Sequence, residues 1–203
     1  MPGRAGNRII RPMTDFTRIE LLEAWLERRQ VSVAEWGRGS SKSLAALWAE
    51  LLSGESRLEG DPPRRIVSVV QMIIRRGELV LVEAGQELED GRQRGRWQLP
   101  SEKMHPEEEP EQAALRGLQE ELGVAAEDVS IVAGSLESWQ WERDSISYPG
   151  LRTCYCFFRV EAMVAGLPQG PFSTLEVAPG PGEPVQRHFW EWVPAGPILT
   201  RRS

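Results

Sequence analysis

Apolar positions recur along this chain with two different periods, and the change from one to the other divides it. From Thr17 to Gly54 the period is helical. Thr17-Arg18-Ile19-Glu20 has the form of a capping box and leads into Leu22, Trp25 and Leu26 on one face. Ser43 can cap a second helix, in which Leu44, Leu47, Trp48, Leu51 and Leu52 make an apolar stripe that stops at Gly54. The basic Gly/Ser segment between them, Trp36 to Lys42, lacks the Gly-Lys-Ser/Thr spacing of a phosphate loop and reads as a linker.

Asp61-Pro62-Pro63 marks a boundary, after which β-branched residues cluster and the period shortens. Ile66–Ile74 and Leu79–Val82, joined through Arg75-Arg76-Gly77-Glu78, predict a hairpin. Gln86 to Arg96 is polar and reads as a loop. Further strands are expected near Val129–Val132, Glu137–Glu142, Thr153–Val164 and His188–Val193. One helix interrupts them. Pro110 suits a first helical turn, Glu109 and Glu111 suit the positive end of the dipole, and Gly123 can take the left-handed conformation that stops a helix. Over Pro110–Leu122, Leu115, Leu118 and Leu122 form a stripe with Ala114 beside it, which should pack on a sheet. Arg116, Glu120 and Glu121 fall mostly off it and can face a cleft. The organisation expected is a helical extension over residues 1–60 and an α/β domain with a mixed sheet over 61–203.

Composition narrows the class. The 203 residues are 40% hydrophobic and 27% charged, as in a globular protein, and the net charge of -6 argues against general binding to nucleic-acid backbones. No apolar run is long enough for a membrane span. Cys154 and Cys156 are two apart on a predicted strand, too extended to bridge each other, and read as reduced thiols of an intracellular compartment, cytoplasm or organellar matrix. The opening Met1 to Arg11 is basic but lacks the length and apolar face of a presequence.

The segment from Glu102 to Val124 carries the chemistry. Glu108, Arg116, Leu118, Glu120, Glu121, Gly123 and Val124 stand at fixed spacing, with Trp97-Gln98-Leu99-Pro100 before them. This pattern resembles the Nudix box, the loop-helix signature of enzymes that cleave nucleoside diphosphates linked to another group. The resemblance implies a Nudix-type α/β/α sandwich over roughly Arg65 to Pro194. It also implies Mg²⁺ or Mn²⁺ held by Glu120 and Glu121, with Glu121, Glu120 and Arg116 as catalytic residues and a nucleotide-like diphosphate as ligand. Adjacent carboxylates on a helix suit a hard cation that keeps its waters and shares the substrate's phosphates.

Two box positions depart from the family. Gly117 stands where a glutamate supplies a further carboxylate, and Glu102 stands where a loop glycine turns. A glycine inside a helix costs roughly 1 kcal/mol against alanine, so either something packs closely against Gly117 or a ligand or partner backbone approaches there. A Cβ at position 102 would disfavour a positive φ and reshape the loop. Glu102 also brings a carboxylate to the neighbourhood that lost one, and is the third metal-ligand candidate. Arg116 and Glu108 can form a bidentate bridge. Lys103, Trp139 and Trp141 are candidates for substrate contacts, the tryptophans by stacking a base or by packing in the core. Glu137, Glu142 and Asp144 are candidates for a surrogate base, and His105 reads as an exposed loop residue.

Two functions follow. One is a metal-dependent Nudix hydrolase of atypical site composition. The alternative is a catalytically inactive Nudix fold, a nucleotide-binding or structural subunit with a protein partner or as a homodimer. Little chain remains after the last strand for the helix that commonly closes the second face of such a sheet, so an N-terminal helix bearing Trp25 or Trp48, or a partner, should cover it.

Overall fold

The fold is described from a computed structural model, over residues 16–39, 41–177 and 185–200. The basic opening segment Met1 to Arg11 lies outside the described residues. Helices α1 (Ile19–Arg28) and α2 (Leu44–Ser53) precede strands β1 (Arg57–Glu59), β2 (Arg64–Arg76), β3 (Leu79–Leu88), β4 (Gln93–Gln98) and β5 (Ser101–Lys103). Helix α3 (Pro110–Leu122) follows, then β6 (Val129–Ile131), β7 (Glu137–Asp144), β8 (Arg152–Val164), β9 (Phe172–Leu175), β10 (Val185–Pro194) and the short α4 (Ala195–Leu199).

The sheet is mixed. Its central path runs β6-β8-β2-β3-β10-β9, with β2 and β8 parallel over Arg64↔Arg152 to Ile74↔Ala162 and the other pairs antiparallel. Side chains alternate across this register, so Val70, Met72, Ile74, Val160 and Ala162 share one face, where α3 lays Ala113, Ala114, Leu118 and Leu122. That is the predicted stripe, with Leu115 only partly buried against it.

The opposite face is covered in pieces. Phe16, Leu22, Trp25, Leu26, Trp36 and Leu47 pack with Leu58 of β1 and with Tyr148 and Leu151 of the β7–β8 connection. The N-terminal helices therefore dock at one end of the sheet and are not an isolated arm. At the other end Ile198 and Leu199 close over Ile73, Val80 and Val82. The tail thus contains a short helix, where the sequence shows little helical pattern.

Other expectations need correction. Thr17 does not cap α1: its N-cap is Arg18, which makes no side-chain cap bond. Ser43 does cap α2, accepting from Ala46 N at 3.2 Å, and Gly54 ends it at φ 78°. Gln86 to Arg96 is not a loop. β3 continues to Leu88 and β4 returns beside it, pairing Gly85 with Gly95 and Gln86 with Arg94. Backbone pairing rather than apolar burial makes this ribbon, which is why hydrophobic periodicity misses it. Cys154 and Cys156 are unbridged, as expected.

Candidate active site

The loop before α3 and the helix itself are locked by Arg116. Its Nε and Nη2 donate to the two carboxylate oxygens of Glu108, each at 3.0 Å, and Nη2 also donates to the Lys103 carbonyl at 2.7 Å. Nη1 reaches Glu120 at 3.1 Å and Glu102 at 3.3 Å. One guanidinium thus ties the loop, β5 and α3 together, and the predicted Glu108 bridge is its bidentate part. Despite its partial burial, these carboxylates raise the Arg116 pKa above the usual arginine value. Burial works to raise Glu108, but the Arg116 bond outweighs it and holds that carboxyl below the ordinary range.

The two departures from the box pattern meet in space. A Cβ on Gly117 would stand 2.7 Å from the Glu102 Cβ and 3.1 Å from its Cγ. Carbons cannot approach that closely, so a side chain at 117 and Glu102 exclude each other. Glu102 sits in β5 opposite Val70, on the α3 face of the sheet, with an extended backbone. Residue 102 has no positive φ, which its Cβ would disfavour; in this stretch the positive values fall at Trp97 (50°) and Glu107 (63°). A carboxylate absent from the helix has thereby entered from the neighbouring strand. Burial raises its pKa, opposed by Arg116 and reinforced by Glu120.

Glu121 is the other unusual group. It lies on the flank of α3 toward β9 and β10, at 9% exposure. Among the described residues its side chain forms no hydrogen bond or ion pair. Burial, then the charge of Glu83, push its pKa well above the usual carboxylate range; His188 opposes the shift, and Glu102 and Glu176 add to it. Its main chain is fixed: Thr174 Oγ1 donates to the Glu121 carbonyl at 2.5 Å while accepting from Trp190 Nε1 at 2.7 Å, and Val177 N donates to the Glu120 carbonyl.

Beside Glu121 lies a buried network that sequence reasoning missed. His188, at 1% exposure, places Nδ1 2.6 Å from Glu83 and Nε2 2.9 Å from Glu176. Burial opposes protonation of His188, but bonds to Glu176 and Glu83 raise its pKa to about 9. Glu83 in turn accepts from Gln86 at 2.5 Å and from Arg96 at 3.0 Å. No local signal joins Glu83 to His188 across the sequence, and Gln86 and Arg96 fall in the stretch read as a loop.

The structure does not bring every candidate to this place. The β5–β2 register puts Lys103 opposite Val69, on the face away from α3, and its ammonium is bound by Glu55. Trp139 and Trp141 pair with Phe157 and Tyr155 on that same far face, Trp139 stacked on Phe157 at 5.3 Å. Glu142 is held by Arg64 at 2.7 Å, and Glu137 and Asp144 share its strand on the sheet edge. His105 is exposed. What the fold brings into contact is Glu102, Glu120 and Arg116, with Glu121 on the next flank of α3 beside Glu83 and His188.

The NUDIX domain family model matches residues 62–197. The chain belongs to the Nudix family. Its fold is the α/β Nudix arrangement with an N-terminal helical extension. A NUDIX hydrolase from Nitrosomonas europaea is 18% identical, with 62% of this chain and 71% of that one covered and a TM-score of 0.38. The dihydroneopterin triphosphate pyrophosphohydrolase of E. coli is 20% identical, covering 64% and 80%, with a TM-score of 0.36. A C. elegans Ap4A hydrolase binary complex is 15% identical, covering 63% and 80%, with a TM-score of 0.33. No curated protein matches the chain.

Nudix hydrolases generally use a divalent cation. Among the described residues no group of three or more His, Cys, Asp or Glu is disposed as a ready-made cation cage. The donor set nonetheless suits Mg²⁺ or Mn²⁺, which take carboxylate oxygens and complete their shell with water and substrate phosphate. The shielded, unpartnered Glu121 carboxyl is the group that most needs a counter-charge. No described helix is long and apolar enough to cross a membrane.

Proposed function

We propose that this Nudix protein is a divalent-cation-dependent hydrolase of a nucleotide-like diphosphate, in which Glu102 supplies the carboxylate that position 117 lacks. The observation that carries this is the mutual exclusion of Glu102 and any side chain at Gly117, with the Glu102 Cβ 2.7 Å from where a Gly117 Cβ would be. Glu102, Glu120 and Glu121 would hold the cation. When bound, Mg²⁺ or Mn²⁺ neutralises the diphosphate and lowers the pKa of the attacking water.

The chain's own residues do the rest. Arg116 fixes Glu102 and Glu120 from one side and anchors the loop through Glu108 on the other. A carboxylate of the trio takes a proton from the attacking water as the bridging phosphorus–oxygen bond breaks. Thr174 and Trp190 hold the helix end that carries Glu121.

A second reading has its own support. Arg116 already engages Glu102, Glu108 and Glu120, so each of these carboxylates has a cationic partner without a metal, as befits a silent nucleotide-binding or structural module. Hydrolysis of a panel of nucleoside diphosphate derivatives with Mg²⁺ or Mn²⁺ separates the two. Turnover that falls about 10²- to 10⁴-fold in both Glu121→Gln and Glu102→Gln supports the enzyme. A silent parent that gains turnover when Gly117→Glu is combined with Glu102→Gly supports the silent fold.

A further inference from the structure

Strand β7 pairs with β8 along one side only, and among the described residues no strand pairs with its other side. An edge of this length offers its free N–H and C=O groups to another strand unless something blunts it. Its sequence, Glu137-Ser138-Trp139-Gln140-Trp141-Glu142-Arg143, is chemically self-complementary about Gln140. Laid antiparallel on a copy of itself with Gln140 opposite Gln140, Glu137 faces Arg143, Ser138 faces Glu142, and Trp139 faces Trp141.

We infer that the β7 edge is an isologous interface between two copies of this chain, joined in that register. Faces agree as well as charges. Glu137, Trp139, Trp141 and Arg143 all lie on the face away from α3, since they pair with Arg159, Phe157, Tyr155 and Thr153 of β8. Directly opposed residues of antiparallel strands share a face, so the pairing builds one aromatic cluster flanked by two Glu–Arg pairs. Trp141 is 39% exposed and already lies against Tyr155 at 6.5 Å. Arg143 stacks over Trp141 and Tyr155 at 5.0 and 5.4 Å, and its buried Nε has no hydrogen-bond partner. Glu137 forms no ion pair among the described residues. The interface gives each of these two charges the other. A two-fold axis through Gln140 makes the contact self-closing, so it stops at two chains.

Charge complementarity decides between this register and its neighbours. Sliding by two residues, which preserves the faces, sets Arg143 opposite Trp139 in one direction and Glu137 opposite Trp141 in the other, and in both it parts Glu137 from Arg143. Only the Gln140-centred register satisfies both charges.

Sedimentation equilibrium on the full chain tests the dimer. The parent should be dimeric, Glu137→Arg and Arg143→Glu should each weaken association about tenfold or more, and the Glu137→Arg/Arg143→Glu double variant should recover toward the parent. A cysteine scan tests the register. With Cys154→Ser and Cys156→Ser removing the native thiols, Gln140→Cys should cross-link to its own copy under mild oxidation, whereas Ser138→Cys, which faces Glu142, should not. A monomeric parent, single reversals that leave the dimer unchanged, or equal cross-linking at both positions would overturn the proposal.

Discussion

Two glutamates on two helices occupy similar depths and live opposite lives. Glu50 on α2 is 3% exposed and Glu121 on α3 is 9% exposed. Around Glu50 the fold places Arg65 at 2.5 Å, Lys42 at 2.9 Å and the Tyr148 hydroxyl at 3.0 Å. Burial works to raise its pKa, but Arg65, Lys103 and Lys42 bring it down to about 2. Around Glu121 no described residue makes an ion pair, and burial with Glu83 pushes the other way, opposed only in part by the charge of His188. The lesson is about provision. A buried carboxylate that serves structure is supplied with its counter-charges by the chain, whereas Glu121 is held in place by Thr174 and Trp190 and has no ion pair of its own among the described residues. That is the arrangement expected where the counter-charge arrives with a ligand.

The largest effect is expected at Glu50. Glu50→Ala leaves Arg65 buried without its partner, and urea denaturation should show a loss of about 3–5 kcal/mol. A loss as small as that of a surface change would mean the cluster is not structural. Acid should act through the same group. Its folded pKa is depressed from 4.5 to about 2, so its contribution is fully present above about 4.5 and is lost as pH falls toward 2. At 1.36 kcal/mol per unit this is on the order of 3 kcal/mol. Thermal melts between pH 5 and pH 2 should fall steeply in the parent and more gently in Glu50→Gln.

From the other side, Glu121→Gln should leave the metal-free protein as stable as the parent, because it removes an unpaired charge. Mn²⁺ at about a hundredfold over its Kd should stabilise the parent by about 2.7 kcal/mol and the variant much less. Equal stabilisation of both by differential scanning calorimetry would detach Glu121 from the cation. The smallest effect belongs to Gly117→Ala. The clash with Glu102 should cost about 1–3 kcal/mol, partly offset by about 1 kcal/mol of helix propensity. In a Glu102→Gly background, which removes the Cβ that the new methyl meets, the same change should turn neutral or stabilising, a coupling that a double-mutant cycle reads directly.

Much of this was legible in the chain. The helix Pro110–Leu122, its stripe and its Gly123 stop depend on neighbours within a turn or two, and they appear as expected. Ser43 as a cap is equally local. The capping box at Thr17 has the right letters, yet the helix begins one residue later than the box requires, with Arg18 at its N-cap. What could not be read depends on strand register. Trp139 and Trp141 do share a face, but which face relative to α3 is fixed only by their pairing with Phe157 and Tyr155. Glu83 and His188 meet only because β3 and β10 are neighbours. The packing of Glu102 on Gly117 lies between. The sequence shows both departures and suggests compensation, and only the β5–α3 contact shows that one side chain excludes the other.

Position 102 is proposed to supply the carboxylate missing at position 117. Mn²⁺ affinity of the full chain, measured by isothermal titration calorimetry in the parent, Glu102→Gly and the exchanged pair Glu102→Gly/Gly117→Glu, tests it without requiring turnover. Affinity should weaken tenfold or more in Glu102→Gly, on the order of a lost charged ligand, and recover in the exchanged pair. Unchanged affinity in Glu102→Gly, or no recovery on exchange, would contradict it.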